Sequence, residues 1–591
     1  MKQFFKFTLA SILGVIIAGL LLLFITIGII SAMVSVSDEP EQISGNSVLL
    51  LKFDHRIVDR ARKNPLEGLD FGLFQGNKTV GLNDILSCIK KAKTDDNIRG
   101  IYLNPTDIEA GMATVEEIRS ALKDFKTAGK FIYAYGDVIL TQKAYYLVTV
   151  ADSLMLNPQG LIDFRGLGGE RTFYKKGLEK LGVEVQIIRH GKFKSAVEPY
   201  LLDKMSPENR LQTETYLKSI WHEMLTEISA SRKMGFDELN DIADMVATFR
   251  KADFAKQKNL VDRLKYKDQV IDDLKKLTGT REKDDVKAID IFKYIKVPEQ
   301  RVQKGGMVRN KIAVIYASGG IDTGMSDQDI NSEDLSRTIR EARRDSSIKA
   351  IVLRINSPGG TVHGSEVIWR EVLLAAKAKP VVASMGDVAA SGGYYIAAAA
   401  DTIMADRTTI TGSIGIFGMI PNMQKLMVDK LGITTDVVTT NEHSDMPSIT
   451  RPMTPFERDL MQNSVEEGYN TFITRVADGR HITKTAVDDI GQGRVWAAPN
   501  AKEIKLVDTF GGLNDAIELA KNMAKLTNFR IVNLPKLKDP LEELIKEFSG
   551  SAKASFMKDE LGETYKYYEQ LRGLISQKGI LARMPYDIDI H

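Results

Sequence analysis

At 591 residues the chain exceeds what one hydrophobic core organises, and two to four domains are expected. A hydrophobic content of 43% and a charged content of 27% belong to a folded globular protein, and 80 Lys and Arg against 78 Asp and Glu leave a net charge of +2, which excludes a dedicated nucleic-acid binder. The single cysteine, Cys88, excludes an internal disulfide framework and a cysteine-based metal site; the seven histidines show no metal-binding spacing, so neither metal nor cofactor is expected.

Between Lys6 and Asp38 lie 31 residues without a charge, rich in Ile, Leu, Val and Phe. A signal-peptide core runs about 7–15 residues and a membrane helix about 20. Residues 1–37 therefore read as a short cytoplasmic N-terminus and an uncleaved transmembrane anchor. Lys2 and Lys6 precede this run and Asp38, Glu39 and Glu41 follow it. By the positive-inside rule the N-terminus stays in the cytoplasm and the body from residue 38 is exported.

The body is one unit written twice, at a spacing of about 250 residues. The run from Asn97 to Leu103 matches that from Ser347 to Leu353, and Tyr135 to Val138 matches Met385 to Val388. Tyr145, Tyr146 and Asp152 match Tyr394, Tyr395 and Asp401, and Lys180 to Val183 matches Lys430 to Ile433. Met205 to Pro207 matches Met453 to Pro455, and Leu260 to Asp262 matches Leu506 to Asp508. The first unit is expected over 47–296, with strands near Val48 to Phe53, Gly100 to Leu103 and Phe131 to Ala134. A charged connection over about Lys296 to Arg309 leads to the second unit, 310–528. There strands are expected over Ile312 to Tyr316, Ala350 to Ile355 and Val381 to Ser384, and helices over Asp334 to Arg344 and Ser365 to Ala376. Short strands alternating with helices of ten to twelve residues predict an α/β fold with a mostly parallel, buried sheet. Residues 529–591 read as a helical tail, with helices over roughly 541–548 and 558–576, suited to packing or oligomer contact.

The chemistry is expected where the two copies differ. After the third strand of the second unit, a small-residue loop beginning at Gly386 leads into an Ala-rich helix (Ala397 to Ala400), with Ser391 at the junction. Gly392 leaves the backbone N–H beside this hydroxyl unshielded and Gly393 admits a substrate backbone, which suits a nucleophile with an oxyanion hole. Pro358, Gly359 and Gly360 form a second loop whose N–H groups can turn toward an oxyanion. The first unit has Thr141 or Gln142 at the place of Ser391 and no glycine pair. It does carry Lys192 and Lys194, whose counterpart region near Ser444 has no lysine. This complementary loss fits a Ser-Lys pair with one member from each unit, Lys194 or Lys192 acting as the base once burial has neutralised it. Ser413, between Gly412 and Ile414, can hold the amine toward Ser391. An alternative assembly of Ser391 with His363 and Asp387 would follow the Ser-His-Asp pattern.

Four motifs together, residues 357–360 (Ser-Pro-Gly-Gly), 390–394 (Ala-Ser-Gly-Gly-Tyr), 411–415 (Thr-Gly-Ser-Ile-Gly) and 194–199 (Lys-Ser-Ala-Val-Glu-Pro), resemble the signal peptide peptidase A family in its long, two-repeat, membrane-anchored bacterial form. The resemblance covers nearly the whole chain. It implies tandem Clp protease/crotonase-like domains built as a ββα superhelix. It also implies an endopeptidase of the bacterial cytoplasmic (inner) membrane, with its catalytic body on the periplasmic side, that degrades cleaved signal peptides and other apolar peptides as a homotetramer. By position it implies Ser391 as nucleophile, Lys194 as general base, Ser413 as the residue orienting the lysine, and Gly360 and Gly392 as oxyanion donors, with Gly359 as a further candidate. Two other readings of the same residues are a crotonase-type enzyme acting on acyl thioesters and a non-catalytic membrane scaffold.

Overall fold

The computed structural model describes residues 43–61, 79–298, 308–324, 329–537 and 580–584, with Glu41 and part of the first 21 residues. Local sequence dictates each element. The helix Ser332–Arg344 shows how: Asn331 caps it by accepting from the Asp334 N–H at 2.9 Å, and Glu333 and Asp334 lie at its positive end, Arg343 and Arg344 at its negative end. Leu335, Ile339 and Ala342 recur at helical spacing and form the buried face.

In the first unit the sheet order is Arg263–Leu264, Ser153–Leu156, Phe131–Gly136, Ile98–Leu103, Ser47–Leu51 and Ala288–Asp290, every pair parallel. The second unit repeats the scheme with Thr402–Ala405, Val381–Ala390, Ile348–Ser357, Lys311–Ser318 and Arg530–Leu534, again parallel, and adds Ile410–Gly412 and Val495–Ala497 beyond the end of Val381–Ala390. The duplication extends to single hydrogen bonds. Asp152 accepts from the Ile132 N–H and Asp401 from the Val381 N–H, both at 2.8 Å. The Tyr145 hydroxyl donates to the Leu260 carbonyl at 2.9 Å, and that of Tyr394 to the Leu506 carbonyl at 3.0 Å. The helices Pro207–Arg232 and Pro455–Arg480 each have 26 residues, a Ser206 or Thr454 cap, and a left-handed residue at the far end.

Three expectations need correction or limits. The small-residue stretch from Gly386 is not a loop: the strand Val381–Ala390 runs straight through it, because Val388, Ala389 and Ala390 find a new partner in Ile410, Thr411 and Gly412. The helix after Ser391 is short, Gly392–Ala397, and does not extend to Ala400. The tail is not helical where it is described. Arg530–Leu534 is a strand of the second sheet, equivalent to Ala288–Asp290 in the first, and Ile580–Arg583 is also a strand. A boundary at 528 would thus remove a strand that the unit's own sheet holds in register. The expected tail helices at 541–548 and 558–576, and most of the connection between units, lie outside the described residues. So does most of the apolar N-terminal run; residues 10–19 are helical, and among the described residues no helix is long and apolar enough to cross a membrane.

Two devices join the units. One is an antiparallel sheet drawn from both, in the order Gly359–Thr361, Ile580–Arg583, Phe417–Asn422, Glu184–Arg189. The other is a buried ionic cluster: Arg354 of the second unit donates through Nε to Asp59 at 2.7 Å and through Nη2 to Glu117 at 2.5 Å, both from the first. All three side chains are buried, so neither carboxylate can be rehydrated if the guanidinium is removed. Arg354→Ala is expected to destabilise the folded chain by about 3–5 kcal/mol, read as a lowered midpoint in urea unfolding.

Candidate active site

Ser391 stands where the strand Val381–Ala390 meets the helix Gly392–Ala397, with φ 56° and ψ −116°. A residue with a Cβ rarely adopts this conformation, and such strain collects at functional sites. The first unit shows what the same place does without strain. There Thr141 has φ −62° and ψ 161°, and its hydroxyl caps the following helix by accepting from the Ala144 N–H. The structure thus settles Thr141, not Gln142, as the counterpart. Ser391 makes no capping bond, and its hydroxyl is turned into the protein.

There it meets Lys194. The Lys194 Nζ lies 2.9 Å from the Ser391 Oγ, 3.0 Å from the Ser413 Oγ and 3.0 Å from the Ser413 carbonyl. The pairing of Glu184–Arg189 with Phe417–Asn422 delivers the lysine, since it carries the loop 190–197 of the first unit onto the second. His190 N–H donates to the Ile416 carbonyl at 3.0 Å and Phe193 N–H to the Gln492 carbonyl at 2.9 Å, which fixes the loop on both sides. Lys192, the competing candidate, points to solvent.

Lys194 is fully buried, and burial alone drives its pKa well below 10.5. No carboxylate pairs with it among the described residues. A neutral amine can satisfy the geometry completely: two N–H groups donate to the Ser413 carbonyl and hydroxyl oxygens, and the lone pair accepts from the Ser391 hydroxyl. Ser413 itself is held at φ 51°, with its N–H on the Arg494 carbonyl at 2.7 Å.

The glycine loop comes equally close. A Cβ placed on Gly392 would stand 3.0 Å from the Gly360 nitrogen, and one on Gly393 would stand 2.5 Å from the Ser357 carbonyl oxygen. Gly359, at φ 98°, directs its N–H back to the Ser357 Oγ at 3.2 Å, which leaves the Gly360 and Gly392 N–H groups as the candidate oxyanion donors. The Ser-His-Asp alternative is not assembled. Asp387 accepts from the Thr114 N–H at 2.9 Å and hydroxyl at 2.7 Å, and the Ser391 hydroxyl faces the lysine.

Several supporting residues carried no signal in the sequence. The buried Gln212 donates to the Phe193 carbonyl at 3.2 Å and the Ser195 hydroxyl at 2.8 Å while accepting from the Val495 N–H at 3.0 Å, so one side chain clamps the lysine loop to the second unit. Gly493 and Gly415 wall the lysine stem; a Cβ on them would lie 2.6 Å and 3.2 Å from Lys194 atoms. A single glutamine in a long helix and an isolated Gly493 look like any others, whereas Gly415 already stood out as the end of the 411–415 motif.

The profile of Peptidase family S49 matches residues 124–281 and 374–527, one segment in each unit, and that of Clp protease matches 303–413. The chain belongs to peptidase family S49. This S49 peptidase is 36% identical to Protease 4 of Salmonella typhi over 86% of its own length and 84% of that protein. It is 33% identical to the chloroplastic serine protease SPPA of Arabidopsis thaliana, covering 92% and 78% of the two chains. It is 31% identical to the putative signal peptide peptidase SppA of Enterococcus faecium, covering 40% and 70%. It is therefore a serine peptidase with a duplicated Clp-protease-like fold.

Two outcomes follow from the geometry of the S49 peptidase. Glycine tolerates the backbone of residue 391 without strain, so Ser391→Gly is expected to melt higher than Ser391→Ala by about 1 kcal/mol, the strain of order 1–3 kcal/mol less the freedom glycine adds to the unfolded chain. For Lys194, the unfolded chain binds a proton that the folded chain rejects at every pH between the lowered folded pKa and 10.5. Stability from this group therefore rises with pH across that window and is lost as pH falls through it. Lys194→Met is expected to raise the urea midpoint at neutral pH and to flatten its pH dependence.

Proposed function

We infer that this peptidase is a membrane-anchored endopeptidase that uses Ser391 as nucleophile and Lys194 as general base to degrade cleaved signal peptides left in the cytoplasmic membrane. The observation that carries this reading is a fully buried amine, without a counter-charge among the described residues, 2.9 Å from the hydroxyl of a strained serine. A solvated lysine holds its proton at neutral pH and cannot take another; a desolvated one can. Neutral Lys194 accepts the Ser391 proton as Oγ attacks a peptide carbonyl. The N–H groups of Gly360 and Gly392 stabilise the oxyanion, each such donor contributing about 2.7–4 kcal/mol to lowering the barrier. The charged lysine, held by Ser413, returns the proton to the leaving amine, and water hydrolyses the acyl-enzyme.

The apolar N-terminal run supports membrane anchoring. Ile12, Leu13, Val15, Ile16 and Ile17 are exposed on their helix, which suits lipid as the cover. The resemblance to signal peptide peptidases supports the substrate class, the exported orientation of the body and assembly as a homotetramer.

The test is hydrolysis of an apolar peptide by the full chain in detergent. Ser391→Ala and Lys194→Ala are expected to lose about 10⁴-fold or more in kcat/KM, and Lys192→Ala to keep wild-type activity. Ser413→Ala, which leaves its carbonyl in place, is expected to lose about tenfold. The wild-type rate should rise with pH through an apparent pKa well below that of free lysine. Full activity in Ser391→Ala or Lys194→Ala would end the reading.

A further inference from the structure

The loop that carries Lys194 is anchored on one residue of the second unit, Gln492. The Phe193 N–H donates to the Gln492 carbonyl at 2.9 Å, and Gly191, at φ 98°, passes so near that a Cβ on it would lie 2.4 Å from the same oxygen. Gln492 is itself in the left-handed region, at φ 53°, where a residue other than glycine has to be held. Tyr469 and Asp488 hold it. The Gln492 N–H donates to the Tyr469 hydroxyl at 3.1 Å, and Asp488 Oδ1 accepts from that hydroxyl at 2.6 Å and from Gln492 Nε2 at 2.5 Å. His190, at the start of the lysine loop, closes this brace. Its ring stacks on Tyr469 with centroids 3.7 Å apart and planes at 21°, its Nδ1 lies 2.6 Å from Glu466 Oε2, and its Nε2 lies 3.5 Å from Gln492 Nε2.

These partners assign the imidazole proton. An ionised carboxylate only accepts, so Glu466 requires a proton on Nδ1, and Asp488 draws the NH2 group of Gln492, rather than its amide oxygen, to the side that faces Nε2. The neutral ring therefore presents a lone pair to an N–H. A second proton, on Nε2, would set two donors face to face. Asp488 already accepts from Tyr469 and Gln492, so the new N–H could reach it only by pushing Gln492 aside. The titratable and charged groups around the ring are Glu466 and Tyr469 from the helix Pro455–Arg480, Asp488 from the helix Lys484–Ile490, and Arg494 from the corner after it, whose guanidinium lies over the Phe193 and Trp496 rings. Arg189 and Lys192 flank it on its own segment, and the strand Phe417–Asn422 has no titratable side chain. We propose that His190 is a positioning residue for Lys194 that works only as the neutral imidazole: on gaining a proton it displaces Gln492, loosens the lysine loop and lowers the rate of peptide hydrolysis. The inference rests on the Ser391–Lys194 reading above. Histidine changes its charge between about pH 5 and 8. Acid thus acts twice on this peptidase, by protonating the base and by releasing the loop that holds it.

The test is the pH profile of kcat/KM for an apolar peptide hydrolysed by the full chain in detergent, over the range in which urea unfolding shows the chain to be folded. On the acid side, log kcat/KM of the wild type is expected to rise with pH more steeply than one ionisation allows, with a slope between about one and about two. His190→Phe keeps a ring on Tyr469 but cannot take a proton. Its acid limb is expected to have a slope of about one, and at alkaline pH it is expected to lose about threefold in kcat with KM unchanged. Glu466→Gln removes the negative charge that favours the charged imidazole, so its acid loss is expected to move to lower pH. A wild-type slope of about one, or a His190→Phe profile parallel to that of the wild type, overturns this inference and leaves the Ser391–Lys194 reading standing. Should His190→Phe fail to fold, a Glu466→Gln profile superimposed on the wild-type one overturns it instead. Wild-type activity in Lys194→Ala overturns the Ser391–Lys194 reading, and this inference with it.

Discussion

An ammonium group taken out of water without a counter-charge is among the costliest things a fold can contain, and the usual escape is to lose the proton. The rest of this molecule is arranged to force that escape on Lys194. Its stem passes between Gly415 and Gly493, where no side chain could be added without displacing it. Its loop is held by the Ile416 and Gln492 carbonyls and by Gln212. Among the described residues its head finds hydroxyl and carbonyl oxygens. A carboxylate in that place would keep the amine charged; its absence among the described partners is what makes the lysine a base.

The second constraint is backbone strain, and the duplication supplies the control. Thr141 and Ser391 occupy equivalent junctions, each between a strand and a helix. Thr141 sits in ordinary extended geometry with its hydroxyl on its own helix, as capping residues do. Ser391 is twisted into the left-handed region, and its hydroxyl leaves the cap to face the amine. The strain is maintained by close contacts on the far side, where Gly392 and Gly393 press against the Ser357 to Gly360 loop. One copy kept a structural junction while the other turned the same junction into a reactive one.

Much of this was legible in the residues. The six ordered matches between halves gave the duplication because they fall on sheet strands, on helix ends and on side chains, such as Asp152 and Asp401, that bind neighbouring strands. Loss of the serine in one half and of the lysine in the other pointed to a shared pair, and the glycines beside Ser391 marked a close approach. What stayed hidden depends on partners distant in the chain. Gly386 to Ala390 has poor strand propensity, and its end is held as a strand by partners distant in the chain, Ser357 on one side and Ile410–Gly412 on the other. Ile580–Arg583 is too short to show a period, and its conformation comes from the two strands beside it. Arg354 reads as an ordinary charge until Asp59 and Glu117 arrive from the other unit.

The separation of the paired residues along the chain sets a schedule. Lys194 and Ser391 stand 197 positions apart, and the strands that bring them together, Glu184–Arg189 and Phe417–Asn422, come from different units. While a polypeptide is being synthesised, its first half has a hydrated, protonated lysine and no hydroxyl to activate. The amine loses its proton only when the second half has been made, has folded and has docked. Chemistry that could harm unfinished proteins is thus withheld by geometry until the enzyme's own translation is over.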